Sequence, residues 1–168
     1  YKLWNRLSSG SYYPPPVMQV EIAKKGGGMR KLGIPTLLDR IAQQVVRRRL
    51  EVMLEPKFHE HSYGYRPGRS AHDAVAQSQR NCFNHDFVLD LDIQSYFDTI
   101  DHELMMKALK HYGAEKWMLL YIGRWLKADI MTRHERISRV TGTPQGGVIS
   151  PLLANLFLHV VFDGWMDK

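Results

Sequence analysis

The sequence predicts a mixed α/β chain, and three observations carry that prediction. Apolar and polar residues alternate over 17 to 22, and a run of strand-like residues, FVLDLD at 87 to 92, ends in a cluster of acids. Three glycines at 26 to 28 separate two strand-like stretches, which marks a hairpin. Apolar residues recur at helical spacing across 38 to 54, 104 to 126 and 152 to 166.

Taken in order, the first 20 residues read as an extended lead-in. The consecutive prolines of SSGSYYPPPV, residues 8 to 17, exclude helix and favour polyproline II. Next, Val17, Gln19 and Glu21 alternate with Met18, Val20 and Ile22, the glycines turn the chain, and residues 29 to 34 return as a second strand with a basic tip between them. Thr36 opens a helix with Asp39 three residues on, a capping-box-like signal. Its apolar stripe is Leu38, Ile41, Ala42, Val45, Val46, Leu50, Met53 and Leu54, and Pro56 stops it. Arg40, Arg47 and Arg48 fall on the other face, and the arginine run 47 to 49 is expected to be solvated.

A second helix begins at Ser70, again with Asp73 at the third position, and runs to about Cys82. That lone cysteine excludes an internal disulfide, fits a reducing compartment and is expected in the core. After the acid-tipped strand come a helix capped by Asp101 and stopped at Gly113, another over EKWMLLYIGRWLKA, and a β pair around DIMTRHERISRV. The turn TPQGG leads into an apolar helix reaching about Met166, with Ser150 as N-cap and Pro151 first inside.

At 168 residues and 44% hydrophobic, the chain suits one ordinary domain or two small subdomains. Its net charge of +6 favours polyanionic partners, and the charge is uneven: residues 1 to 85 carry net +8, residues 86 to 168 net −2. The start shows no secretory signal. The most apolar run, 148 to 162, is broken by Ser150, Pro151, Asn155 and His159 and falls short of the roughly 20 residues a bilayer span needs, so a cytoplasmic protein without membrane contact is expected.

A carboxylate at a buried strand tip costs several kcal/mol unless something positive faces it. Asp90, Asp92 and Asp98 stand around that tip. A strand end followed by a turn holds an oxygen ligand rigidly at an open site, which suits Mg²⁺, and Asp92 fits best. Pleat alternation puts Asp90 and Asp92 on one face, so periodicity does not separate them, and a helix cap or surface acid is the plainer alternative.

Four stretches, KKGGGMRKLGIPTLLDRIAQ (24 to 43), FHEHSYGYRPGRSAHDAV (58 to 75), FVLDLDIQSYFDTIDH (87 to 102) and GTPQGGVISPLLANLFLHVVFD (142 to 163), resemble successive blocks of the reverse transcriptases encoded by group II introns. The resemblance covers nearly the whole chain, and YGYRPGRS and PQGGVISPLLANLFL carry most of its specificity. It implies a right-hand polymerase architecture: lead-in and fingers over 1 to 85, and over 86 to 168 the first part of a palm with an RRM-like sheet and helices on one face. It further implies RNA-directed DNA synthesis by two-Mg²⁺ nucleotidyl transfer (Mn²⁺ as the alternative ion), on an intron RNA template with a DNA primer and deoxynucleoside triphosphates, together with help to intron splicing. A homodimer is compatible with it.

Carried over position by position, Asp92 and the Ile93 carbonyl match the metal-binding pair, with Asp92 catalytic. Tyr96 matches the aromatic under the incoming sugar, with Phe97 the alternative if the register slips by one. Lys24 and Arg30 match the cations that clamp the triphosphate, with Lys25 and Lys31 as substitutes. Tyr63, Arg66 and Arg69 suit a template strand, or else tie a loop to the fold. Gln145 and Gly146, with Gly147, match the block beneath the templating pair. His59, His61 and His72 lack metal spacing and are assigned to surface or template contacts, and His159 to the core or an interface.

The family's second catalytic element, Tyr-x-Asp-Asp, occurs nowhere in these residues, so the isolated chain is expected to be inactive. Two other readings stay open: an RNA-binding maturase module without polymerase activity, and a reverse transcriptase of the retron or diversity-generating type.

Overall fold

The computed structural model describes residues 2 to 23 and 26 to 166. The chain opens with a helix, α1 (Lys2–Ser8), where the prolines further on predict extended chain. Leu3 and Leu7 pack against the core, the Tyr121 hydroxyl donates to Leu7 O at 2.6 Å, and Gly10, at φ +73°, turns the chain out of the helix. Within the lead-in, extended, irregular chain is confined to residues 11 to 16.

β1 (Val17–Ala23) and β2 (Met29–Ile34) form the expected antiparallel hairpin, in register from Met18 opposite Ile34 to Ala23 opposite Met29. α2 (Leu37–Leu54) starts at Thr36, whose hydroxyl accepts the Asp39 N–H at 3.3 Å, and gives way to one 3₁₀ turn, Glu55–Lys57, at Pro56. Its buried stripe is Asp39, Ala42, Gln43, Val46, Leu50 and Leu54. The stripe is rotated from the predicted one: Leu38, Ile41 and Val45 are exposed, and two polar residues go inside.

α3 (Ala71–Cys82) is closed by a reciprocal capping box, Ser70 Oγ accepting the Asp73 N–H at 3.2 Å and Asp73 Oδ2 accepting the Ser70 N–H at 2.9 Å. No residue of α3 is buried and Cys82 is exposed, so the core placement of the cysteine is corrected. The cap, with side-chain bonds such as Arg80 to Gln77 at 2.6 Å, holds this helix in place of packing.

The largest departure lies at residues 87 to 93. A buried strand is predicted, yet the chain there is irregular, with Phe87 92% and Leu89 81% exposed. A strand persists only when its N–H and C=O groups pair with a neighbour, and among the described residues no strand pairs with this segment.

α4 (Tyr96–Thr99), α5 (His102–His111) and α6 (Lys116–Leu126) follow. Asp101 caps α5 by accepting the Leu104 N–H at 2.8 Å, and Gly113, at φ +79°, follows its end, both as predicted. β3 (Ile130–Met131) and β4 (Arg136–Ile137) are the short pair expected there, and β3 joins β1 in parallel to give the order β2-β1-β3-β4. In α7 (Ser150–Leu158) the residue before the helix is Ile149; Ser150 lies in the first turn, its hydroxyl 2.9 Å from that of buried Thr143. The predicted uninterrupted helix widens into π winding over His159–Asp163, bridged by His159 Nδ1 and Asp163 Oδ2 at 3.0 Å, before a last turn, α8 (Gly164–Met166).

Leu50 and Leu54 of α2, Met105 and Leu109 of α5, Met118 and Ile122 of α6, and Leu153 and Leu156 of α7 share one core. Burial of each such side chain is worth about 1.5–3 kcal/mol. A polar knot fixes the lead-in to it: Asp39 Oδ1 accepts the Tyr12 hydroxyl at 2.6 Å and the Trp125 indole N–H at 3.1 Å, all three being buried. Burial pushes the Asp39 carboxyl above the usual carboxylate range, while those two hydrogen bonds pull the other way.

Candidate functional site

The edge of β2, the segment 91 to 98 and the loop before α7 enclose an open cleft of about 810 Å³. Asp92, Ile93, Tyr96, Phe97 and Asp98 line one side; Arg30, Lys31 and Gln145 line another. Ser95, at φ +51° and ψ +33°, makes the sharp turn between Asp92 and Tyr96. A left-handed non-glycine residue costs on the order of 1–2 kcal/mol, and such strain concentrates at functional sites.

Tyr96 is anchored. Its hydroxyl donates to Ala154 O on α7 at 2.7 Å, its ring meets that of Phe97 edge-on at 5.8 Å, and burial pushes its phenol well above the ordinary range. The ring therefore has one orientation at the cleft wall. The adjoining turn is clamped by residues 141 to 143: the Gly142 N–H donates to Ile100 O and the Thr143 N–H to Phe97 O, both at 2.7 Å, while His102 Nε2 lies 2.7 Å from Gly142 O. Gly142 sits at φ +78°, and a Cβ there would stand 2.6 Å from Asp98 O, so only glycine fits.

The loop 144 to 147 lies against β2. The Gly33 N–H donates to Gln145 O at 2.7 Å, and a Cβ on Gly146 would come within 2.8 Å of Gly33 O. Side chain follows backbone: Arg30 Nε donates to Gln145 Oε1 at 2.9 Å. That bond fixes the guanidinium at the cleft and uses neither terminal nitrogen.

Of the residues singled out in the sequence, Asp92, Ile93, Tyr96, Phe97, Arg30 and Gln145 are thus brought to one cleft, with Gly146 just behind it. Lys31 lines the cleft too; Lys24 and Lys25 lie outside the described residues. Asp90, although exposed, is not among the lining residues. Arg66 fits the other reading, an arginine that ties its loop to the fold. Its Nε bonds Glu55 Oε1 at 2.9 Å, its terminal nitrogens reach the His59, Ser62 and Glu55 carbonyls and Glu55 Oε1, and its side chain is 5% exposed. Every guanidinium donor is spent inside the loop. Arg69 is half-buried, stacked 5.3 Å from the Tyr63 ring centroid and bonded to Glu60 O at 2.7 Å. Tyr63 and Arg69 keep an open face.

Among the described residues no group of three His, Cys, Asp or Glu side chains could hold a metal ion by itself. The oxygen donors of the cleft, the Asp92 carboxylate, the Ile93 carbonyl and nearby Asp98, nevertheless suit a hard cation such as Mg²⁺, which takes one or two carboxylates and completes its shell with substrate phosphates and water. Helix α2 supplies a residue that the sequence reading passed over. Gln43 is buried, and its Oε1 accepts the Val148 N–H at 2.8 Å and the Ile149 N–H at 3.3 Å. A polar side chain one helical turn after Asp39 and seven residues before Leu50 was its only signal.

The model of the reverse transcriptase (RNA-dependent DNA polymerase) family matches residues 22 to 168, and the chain belongs to that family. Within it, the group II intron-encoded protein LtrA of Lactococcus lactis subsp. cremoris is 40% identical over 159 residues, 94% of this chain and 26% of that protein. Protein YkfC of Escherichia coli (strain K12) is 38% identical across 99% of the chain and 45% of its own length. A putative COX1/OXI3 intron 1 protein of Saccharomyces cerevisiae is 32% identical across 99% of the chain and 20% of its own length. The chain therefore spans from a fifth to under half of these relatives. Among solved structures, a chain of a partial Cas6-RT-Cas1–Cas2 complex superposes with a TM-score of 0.64 at 28% identity, covering 99% of this chain and 28% of that one. No helix among the described residues is long and apolar enough to cross a membrane.

Proposed function

We propose that this chain is the fingers (1 to 85) and first palm part (86 to 168) of a group II intron RNA-directed DNA polymerase that copies intron RNA from a DNA primer and assists splicing. The observation that carries the reading is the cleft itself, where Asp92, Tyr96 and the Arg30–Gln145 pair converge although the last two are 115 positions apart. No local loop explains that convergence.

In this reading the Arg30 terminal nitrogens and Lys31 take the triphosphate of the incoming deoxynucleotide, neutralising charge and fixing its orientation. Tyr96, held through its hydroxyl by α7, presents its ring to the sugar and leaves no room for a 2′-hydroxyl. Asp92, with the Ile93 carbonyl, would hold Mg²⁺, with Mn²⁺ as substitute. When bound, that metal would lower the pKa of the primer 3′-hydroxyl and offset phosphate charge. Tyr63 and Arg69 give a stacking surface and a cation to the template. A reducing, cytoplasmic setting belongs to the same reading, since the one cysteine is exposed and unpaired.

The test uses a protein extended past Lys168 through a Tyr-x-Asp-Asp element. Asp92→Asn should abolish primer extension and leave RNA affinity nearly unchanged; substantial residual synthesis would remove Asp92 from the chemistry. A second reading, an RNA-binding module without catalysis, is favoured by the basic first half. Under it, charge reversal at Arg30 and Arg69 flattens the salt dependence of RNA binding while synthesis is absent in every version.

A further inference from the structure

We propose, resting on the reading of the cleft as a triphosphate site, that Gln43 is a positioning residue: from inside α2 it sets the loop that aims Arg30. The loop 144 to 149 is pinned at two places. At one end the Gly33 N–H of β2 holds Gln145 O at 2.7 Å; at the other, Gln43 Oε1 takes the N–H groups of Val148 at 2.8 Å and Ile149 at 3.3 Å. Between the pins stands Gln145, whose side-chain oxygen holds Arg30 Nε at 2.9 Å. The loop is also tight around the second pin, because a Cβ on Gly147 would lie 2.5 Å from Ser150 Oγ and 3.4 Å from Gln43 Oε1.

Gln43 is 2% exposed, so water does not stand in readily for its oxygen. If that acceptor is lost, two N–H groups at the entry to α7 are left without a partner, and the loop must shift to find one. Gln145 shifts with it. The orienting bond on Arg30 is then broken although neither Arg30 nor Gln145 has changed, and Gln43 acts through them without touching substrate.

The experiment measures inorganic tripolyphosphate binding to the 168-residue chain by calorimetry, alongside thermal unfolding. Gln43→Met, similar in length but with no acceptor at that point, should weaken binding roughly tenfold in chain that is still folded. Gln43→Glu, which keeps an oxygen for both N–H groups, should restore it. Arg30→Ala should weaken wild-type binding but cost little more in the Gln43→Met background, because both changes remove one aimed guanidinium. If Gln43→Met does not fold, Gly147→Ala, which crowds the same contact from the loop side, should give the same non-additive loss. Wild-type affinity in the folded Gln43→Met chain, or simple additivity with Arg30→Ala, overturns the positioning role alone. If the wild-type chain does not bind tripolyphosphate, the reading of the cleft falls and this role falls with it.

Discussion

Tyr12→Phe tests the buried knot that ties the lead-in to α2 and α6. The change removes one oxygen and keeps the ring, so packing is nearly preserved while Asp39 loses its 2.6 Å donor and retains the Trp125 indole at 3.1 Å. No cation pairs with Asp39 among the described residues, so the carboxylate depends on these neutral donors. A hydrogen bond to an ionised group contributes about 1.5–3 kcal/mol, which sets the expected penalty near pH 7. Burial raises the Asp39 carboxyl in the folded chain. Its contribution to stability is therefore fully present below the unfolded value of about 3.9 and is lost as pH rises through the raised folded value. Removing Tyr12 Oη, which pulls that value down, raises it further, so the penalty is largest at neutral pH and shrinks in acid, where Asp39 is protonated in both proteins. Asp39→Asn should flatten the dependence. Urea unfolding from pH 4 to pH 8, followed by tryptophan fluorescence, measures it. A penalty that stays constant with pH, or grows in acid, refutes the account of Asp39 as a carboxylate stabilised by these donors.

Three other substitutions separate framework from site. Arg66→Ala leaves the part-buried Glu55 carboxylate and three carbonyls without their cation, and should cost roughly 3–5 kcal/mol in chemical unfolding. The salt slope of RNA binding by chain that remains folded should not move, whereas Arg69→Ala should reduce that slope by about one with little loss of stability. Gly142→Ala meets both a positive φ of +78° and a backbone oxygen 2.6 Å from the new Cβ, so a loss above about 2 kcal/mol is expected in thermal unfolding. An unchanged melting temperature would mean that the clamp on residues 97 to 100 is loose.

Local signals were legible in the sequence wherever the physics was local. The caps at Thr36, Ser70 and Asp101, the glycine after α5 and the β1–β2 hairpin all depend on residues within a few positions of one another. Positions that depend on distant partners were not legible. Asp39 and Gln43 are polar yet buried because Tyr12, Trp125 and the loop before α7 satisfy them, and nothing nearby announces those partners. For Arg66 the sequence leaves two readings open, template contact or loop anchor, because its partner Glu55 lies eleven residues upstream in a 3₁₀ turn. The strand-like composition of residues 87 to 93 describes what the segment would do beside a neighbour, and the described sheet offers it none. At the cleft, the residue types were readable in the sequence, but the Arg30–Gln145 bond that joins two of them required the fold.

The unpaired segment also bears on how copies of this chain meet one another. Phe87, Val88, Leu89, Leu91 and Ile93 stand exposed on backbone that pairs with no strand among the described residues, a ready template for intermolecular strand addition. Asp90 and Asp92 oppose it: in-register stacking would repeat each carboxylate about every 4.8 Å along a growing fibril, and like charges at that spacing repel. The two acids are gatekeepers of their own hydrophobic run. Protonation or a bridging divalent cation would relax that repulsion, so the carboxylate proposed to hold the metal would also be one that opposes such stacking.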